Sequence, residues 1–217
     1  MILAPDPDHA LVRACVDPDD ERFEAAFEEL YDRYRDRVYS IAFRMLGTTT
    51  DAMDVVQEAF SILFRKISTF RFDSKFSTWL FRLVVNCCVD HRRREESRRP
   101  TREAGEAEVA AAEADAIDPR SAAESLELGD HVHASLLHLS PKLRAVLVLR
   151  YLEGLSYQEL AESLDVSLGT VKSRLARAHL AFEKVLEGTL DKFDYPHADR
   201  FRSGGPDQAG PGREGVA

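Results

Sequence analysis

Residues 155–179 read LSYQELAESLDVSLGTVKSRLARAH, and this stretch decides the architecture. Ser156-Tyr-Gln-Glu159 has the S-x-x-E spacing in which a serine and a glutamate each satisfy an unpaired amide at the start of a helix. Leu160, Ala161 and Leu164 follow at the spacing of one helical face. Asp165-Val166-Ser167 is a short turn, and Val171, Leu175, Ala178, Phe182, Val185 and Leu186 give a second helix its inward stripe. Two helices across a tight turn are a helix-turn-helix, which sets the N-terminal part of its second helix into the DNA major groove. With Val171 and Leu175 inward, Lys172, Ser173, Arg174 and Arg177 fall on other faces, and no acid lies between Asp165 and Glu183. Arg174 and Arg177 are the base-reading candidates, because guanidinium pairs bidentately with guanine O6 and N7. Thr170, Lys172 and Ser173 suit bases or phosphates, and the helix starts at Ser156 and Ser167 offer backbone amides to phosphates.

Working toward the N-terminus, Ser140-Pro141 is a helix start, with Leu143, Val146, Leu147 and Tyr151 as its buried stripe and Gly154 as its stop. Before it, residues 98–130 hold few large apolar side chains. Between 103 and 130 stand nine acids and one base, so this segment carries most of the net charge of −9. It reads as a flexible acidic linker unable to bury a core. Outside this stretch and an acidic, proline-bearing arm over residues 1–21 that reads as disordered, the chain is near neutral with basic clusters, so the overall charge does not exclude a nucleic-acid partner.

A second helical unit precedes the linker, over residues 22–97. Helical periodicity from Arg22 to Leu46 ends at Gly47, and Thr50 or Asp51 is placed to cap a helix running through Ile67. Ser77 or Thr78 is placed to cap another, which runs out in the cations His91-Arg92-Arg93-Arg94. Phe70, Phe72 and Trp79 lie close in sequence to that run, and aromatics beside cations such as Arg92 and Arg93 suit stacking and phosphate contacts with unpaired bases. The expected fold is all-α: two small helical domains, 22–97 and 131–188, a flexible linker between them, and a mostly disordered tail over 189–217.

These residues resemble the extracytoplasmic-function (ECF) sigma factors of bacterial RNA polymerase. Asp51-Ala-Met-Asp-Val-Val-Gln-Glu-Ala-Phe60, Phe76-Ser-Thr-Trp-Leu80, Val85-Asn86 and Asp90-His-Arg-Arg-Arg94 are similar to sigma region 2. Leu139-Ser-Pro-Lys-Leu-Arg144, Tyr151-Leu-Glu-Gly-Leu-Ser-Tyr157 and Gly169-Thr-Val-Lys-Ser-Arg174 are similar to region 4. The resemblance implies a helix-turn-helix that reads the promoter −35 element and docks on the β flap of the polymerase core. It implies a β′ clamp-helix contact through Asp54, Gln57, Phe60, Leu63 and Phe64. The loop Phe72-Asp73-Ser74-Lys75 would receive a flipped −10 base, and Asn86 would touch the opened strand. It also implies an anti-sigma partner and an acidic linker drawn into a positively charged channel of the polymerase.

Other readings are a stand-alone helix-turn-helix regulator, which leaves 51–94 unexplained, and an enzyme. The sequence offers no nucleophile elbow, phosphate loop or metal-ligand set, and Asp51, Asp54 and Glu58, though on one helical face, serve more simply as surface contacts or caps. No cofactor, metal or membrane insertion is expected, and the cytoplasm is the expected location. Cys15, Cys87 and Cys88 fit small core thiols better than a disulfide framework.

Overall fold

The computed structural model describes residues 6–17, 19–98 and 129–190, with side chains to residue 188. All regular elements among these residues are helical. They are α1 (His9–Val16), α2 (Phe23–Leu46), α3 (Thr49–Lys66), α4 (Phe76–Arg98), α5 (129–137), α6 (Pro141–Leu147), α7 (Tyr157–Leu164) and α8 (Leu168–Leu190). Linker residues 99–128 and the tail beyond 190 lie outside the described residues.

Helices α2, α3 and α4 enclose Leu30, Ile41, Leu63, Leu80 and Phe81, each worth about 1.5–3 kcal/mol of transfer free energy. Gly47 ends α2 at φ 94°, its amide bonding the Phe43 carbonyl at 2.9 Å. A side chain there would meet left-handed strain and Leu137, so only glycine fits. The cap of α3 is Thr48, not Thr50 or Asp51. Its hydroxyl accepts from the Asp51 amide at 3.1 Å while donating to the Asp51 carboxylate at 2.8 Å.

The acidic arm departs from expectation. Part of it is α1, with Val12 and Cys15 buried one turn apart against the core and Asp8 buried beside them. The Asp8 carboxylate accepts from Arg33 and the Tyr34 hydroxyl, so its charge is compensated inside the fold. Burial and that bond push the Tyr34 hydroxyl pKa above its ordinary value. Asp6 caps α4 by accepting the Phe76 amide at 2.7 Å, the role expected of Ser77 or Thr78. All three thiols are buried, and burial raises those of Cys15 and Cys87 to about 11.

The C-terminal unit packs α6 and α7 against α8 around Leu149, Leu160, Val171 and Leu175. Helix α6 continues as a π turn over Val148–Leu152. The extra residue in that turn shifts the helical phase, so Tyr151, expected in the buried stripe, stands 69% exposed.

The two units touch. Helix α7 packs on α4, and the Ser163 hydroxyl donates to the Thr78 carbonyl at 3.1 Å. His133 of α5 is buried against α2, with Nε2 3.1 Å from the Phe43 carbonyl oxygen, a contact that requires the Nε2–H tautomer. Burial lowers its pKa from the ordinary 6.5. The unfolded chain therefore takes up this proton first as pH falls. The contribution is complete above pH 6.5 and is lost as pH drops through the folded value. The melting temperature is expected to fall with acidification through this window, and His133→Gln should flatten that dependence. An unchanged slope in the variant would contradict the assignment.

Candidate nucleic-acid interface

The helix-turn-helix forms as its sequence dictates. Ser156 Oγ accepts the Glu159 amide at 3.2 Å, and the Glu159 carboxylate accepts the Ser156 amide at 2.8 Å. Asp165 closes α7 in a left-handed conformation at φ 52°. Ser167 then caps α8, its hydroxyl accepting the Thr170 amide at 3.2 Å. Val171, Leu175 and Ala178 face the core. Lys172, Ser173 and Arg177 are exposed, and Thr170 and Arg174 are half-buried at the rim. Arg177 Nε donates to the Ser173 carbonyl at 3.2 Å, an extended pose along the helix that leaves its terminal nitrogens outward. Among the described residues, the side chains of Lys172 and Arg174 have no hydrogen-bond or ion-pair partner. Five donor side chains thus line the first turns of α8 with no carboxylate bound to them among the described residues.

The second cluster surrounds the loop between the α3 end and α4. Phe70 lies 4.9 Å from Phe72 and 5.5 Å from Trp79, ring centre to ring centre. Phe72 holds the left-handed backbone value φ 59°, uncommon for a bulky residue and marking a strained loop. Asp73 is exposed, and Ser74 and Lys75 are half-buried. Asn86 is exposed one face further along α4, lining a cleft of about 350 Å³ with Trp79, Arg82 and Leu83. Arg92 and Arg93 lie at the far end of α4. They are engaged locally, Arg92 with Glu96 at 3.0 Å and Arg93 with Asp90 at 3.2 Å. They stand several turns from the aromatic loop, so α4 does not gather all seven proposed strand contacts into one pocket.

An apolar groove of about 1130 Å³ runs between α2 and α3. Tyr31, Met53 and Phe64 project into it, all exposed, with Asp54 and Gln57 on its rim. Phe64 is 55% exposed, and its ring meets Phe23 and Phe27 edge-on at 5.5 and 5.2 Å. Phe60 forms the groove floor, mostly buried under Tyr31 at 4.6 Å. Leu63 corrects the expected contact set: it is fully buried on the core side of α3 and cannot reach a partner. Tyr31 and Met53, absent from the expected set, occupy the accessible positions instead. Asp51 contacts His91 at 3.0 Å and Glu58 holds Arg94 at 2.8 Å, so these carboxylates tie α3 to α4.

Ion pairs join the two clusters. Lys75 Nζ meets Glu159 at 2.7 Å, Arg82 meets Asp165 at 2.8 Å, and Arg37 Nε meets Glu153 at 2.7 Å. Burial alone would raise the Glu159 carboxyl, but hydrogen bonds from Lys75 and Ser156 outweigh it and lower its pKa. A residue of the loop is therefore held by the capping box of the helix-turn-helix.

Comparison with known proteins agrees with this anatomy. The family description Sigma-70 region 2 matches residues 30–98, and Sigma-70, region 4 matches residues 130–180. The ECF RNA polymerase sigma factor SigW of Bacillus subtilis is 38% identical over 170 residues, covering 74% of this chain and 89% of SigW. The ECF RNA polymerase sigma-E factor of Escherichia coli K12 is 36% identical over 169 residues, covering 76% and 88%. Among solved structures, CnrH in complex with the cytosolic domain of CnrY superposes with a TM-score of 0.59 at 26% identity, covering 84% of this chain and 99% of CnrH. With α2–α4 in the place of region 2 and α6–α8 in the place of region 4, the chain belongs to the ECF RNA polymerase sigma factors.

Proposed function

We propose that this chain is an alternative-sigma initiation factor that binds polymerase core, reads the −35 element with α8 and the −10 element with the 72–75 loop and α4, and assists melting. The supporting observation is the face of α8: Thr170, Lys172, Ser173, Arg174 and Arg177 present donors free of carboxylates, as major-groove readout requires. Asn86, Trp79 and the aromatic loop provide stacking surface for an unpaired strand, repaying the few kcal/mol lost when a base leaves its stack. Arg92 and Arg93 lie on the phosphate path beyond that loop. The factor is not an enzyme and acts in the cytoplasm, where polymerase works.

The α2–α3 groove is the β′ clamp-helix site, through Asp54, Gln57, Phe60 and Phe64 together with Tyr31 and Met53. It is also the surface an anti-sigma protein would cover. Exposed Tyr151, Leu152 and Leu180 on the C-terminal unit suit the β flap. Phe64→Ala removes an exposed ring, so it should weaken core affinity by tenfold or more with little change in melting temperature. Leu63→Ala should instead cost about 2–5 kcal/mol of stability. Anisotropy titration of labelled chain with core measures the first, and unchanged affinity in Phe64→Ala would contradict the groove assignment.

The paired clusters must separate in use. Elements named for positions 25 base pairs apart lie roughly 80 Å apart on B-DNA. A compact body of about 150 residues spans only about 40 Å. Domain opening therefore accompanies promoter binding and releases Lys75. Glu159→Gln preserves the capping box, and Asp165→Asn suits the left-handed position. Each removes one exposed or half-exposed ion pair worth about 0.2–1 kcal/mol, so together they should raise the open population by up to about thirtyfold. Energy transfer between dyes on α3 and α8 measures this. Equal distances in the double variant and the parent at low salt would contradict the latch.

A further inference from the structure

We propose that α1 is part of the −10 strand-binding surface and that His9 and Arg13 are its working residues, an inference that rests on the reading of the 72–75 loop given above. The ring of Phe72, in its left-handed backbone conformation, is flanked from outside by this helix. The His9 ring lies 4.9 Å from it, tilted by 47°, and the Arg13 guanidinium carbon lies 5.7 Å from its centre. Phe70 supports the ring from within at 4.9 Å. Phe72 is thus held between a core aromatic and two residues that are themselves exposed.

The helix is fixed where this contact needs it. Asp8, 3% exposed, ties the start of α1 to Arg33 and Tyr34 of α2. Asp6 bonds the Asp8 amide at 3.0 Å with one carboxylate oxygen and the Phe76 amide at 2.7 Å with the other. The segment therefore grips the loop at both ends: Phe72 where it begins and Phe76 where α4 resumes. The Asp6 and Asp8 carboxylates turn inward onto Phe76, Arg33 and Tyr34, and the exposed Arg13 lies over Phe72. The net-acidic arm consequently presents a cation, and not its acids, to whatever the loop receives. An aromatic ring with a guanidinium over its face and an imidazole at its side is a stacking platform with a phosphate-attracting rim, the chemistry that single-stranded nucleic acid recruits. His9 and Arg13 position Phe72 for a displaced base, and Arg13 reaches the adjacent phosphate.

The test uses full-length chain assembled with polymerase core on a set of templates that differ at single −10 positions. His9→Ala and Arg13→Gln sit on exposed positions, and unchanged melting temperatures establish that they fold. Promoter opening is read by a fluorescent base analogue in the non-template −10 strand. Each variant is expected to slow opening about tenfold on the preferred template and to narrow the differences among templates at one −10 position, with core affinity and −35 dependence unchanged. Arg13→Lys should recover the rate but not the full base preference, because it keeps the charge and loses the planar face. A purely structural role for α1 would lower all templates by one factor, and that result would overturn the proposal. Lys75→Ala and Asn86→Ala are run alongside. If they alter base preference while the α1 variants do not, the α1 proposal fails and the loop reading stands. If neither pair alters it, both fail.

Discussion

Arg174→Ala and Arg177→Ala should each lower initiation from a cognate promoter by about tenfold to a hundredfold, corresponding to roughly 1–3 kcal/mol per lost bidentate base contact. They should do so by relaxing the preference for particular base pairs within the −35 element. The structure gives the reason. Both guanidinium groups start from the first three turns of α8, Arg174 at the rim of the buried Val171–Leu175 face and Arg177 on the exposed side, and the burial of Val171 and Leu175 fixes the helix rotation. Arg174 has no intrachain partner among the described residues, and the Arg177 side chain lies along the helix with only its Nε engaged. Lys172→Ala should behave differently. A phosphate contact carries no sequence information, so its loss should weaken all promoters together and reduce the salt slope by about one. Transcription from −35 point variants at two or three salt concentrations separates these outcomes. Uniform loss in the arginine variants, with base preference intact, would show that they position the helix without reading bases.

Arg144→Leu should cost about 3–5 kcal/mol of stability, the largest effect of any single substitution considered. The side chain is only 1% exposed and has no carboxylate partner among the described residues. Its guanidinium donates instead to main-chain carbonyls: Leu136 at 2.8 Å, Leu139 at 3.0 Å, and Leu137 and Met45. These carbonyls belong to the C-terminal ends of α5 and α2 and to the turn just after α5, where intrahelical amides run out and the helix dipole is negative. One buried cation thus serves two helix ends and ties the N-terminal unit to the C-terminal one. Burial pulls its pKa down to about 10, which still leaves it charged at neutral pH. Leucine fills the volume but strips the Met45, Leu137 and Leu139 carbonyls of their donor in a dry site, while Leu136 keeps the Leu139 amide. Arg144→Lys should fall between the parent and leucine, since an ammonium keeps the charge but lacks the planar fork. Chemical denaturation measures both. A loss below about 1 kcal/mol for leucine would mean that water or repacking satisfies those carbonyls.

Local chemistry was readable where it was local. The Ser156–Glu159 capping box, the Gly47 stop and the inward stripe of α8 stand as their spacing requires. What escaped depended on partners distant in the chain. In the sequence alone, the acids and prolines of the arm outweigh a short apolar pattern and point to disorder. Yet Val12 and Cys15 have helical spacing, and the deciding stabilisation of Asp8 comes from Arg33 and Tyr34, beyond any local window. The α4 cap was missed for the same reason, since Asp6 lies 70 positions from Phe76. Within the groove, Phe60, Leu63 and Phe64 share one broad helical face, so periodicity could not separate the exposed ring of Phe64 from the buried Leu63. Tyr151 went astray because a π turn breaks the 3.6-residue period on which its placement relied. The ion pairs between the two units, and Arg144 above all, have no signature in sequence: an arginine in a helix reads as surface until the fold surrounds it.

The central claim is that this chain directs polymerase core to promoters through α8 and the 72–75 loop. Run-off transcription with purified core, this chain and a genomic fragment library, with the 5′ ends of the products mapped, tests it most directly. Discrete start sites that appear only with the chain, share two upstream elements, and disappear for the Arg174→Ala, Arg177→Ala double variant are the expected outcome. Start sites independent of the chain, or unchanged in that variant, would contradict it.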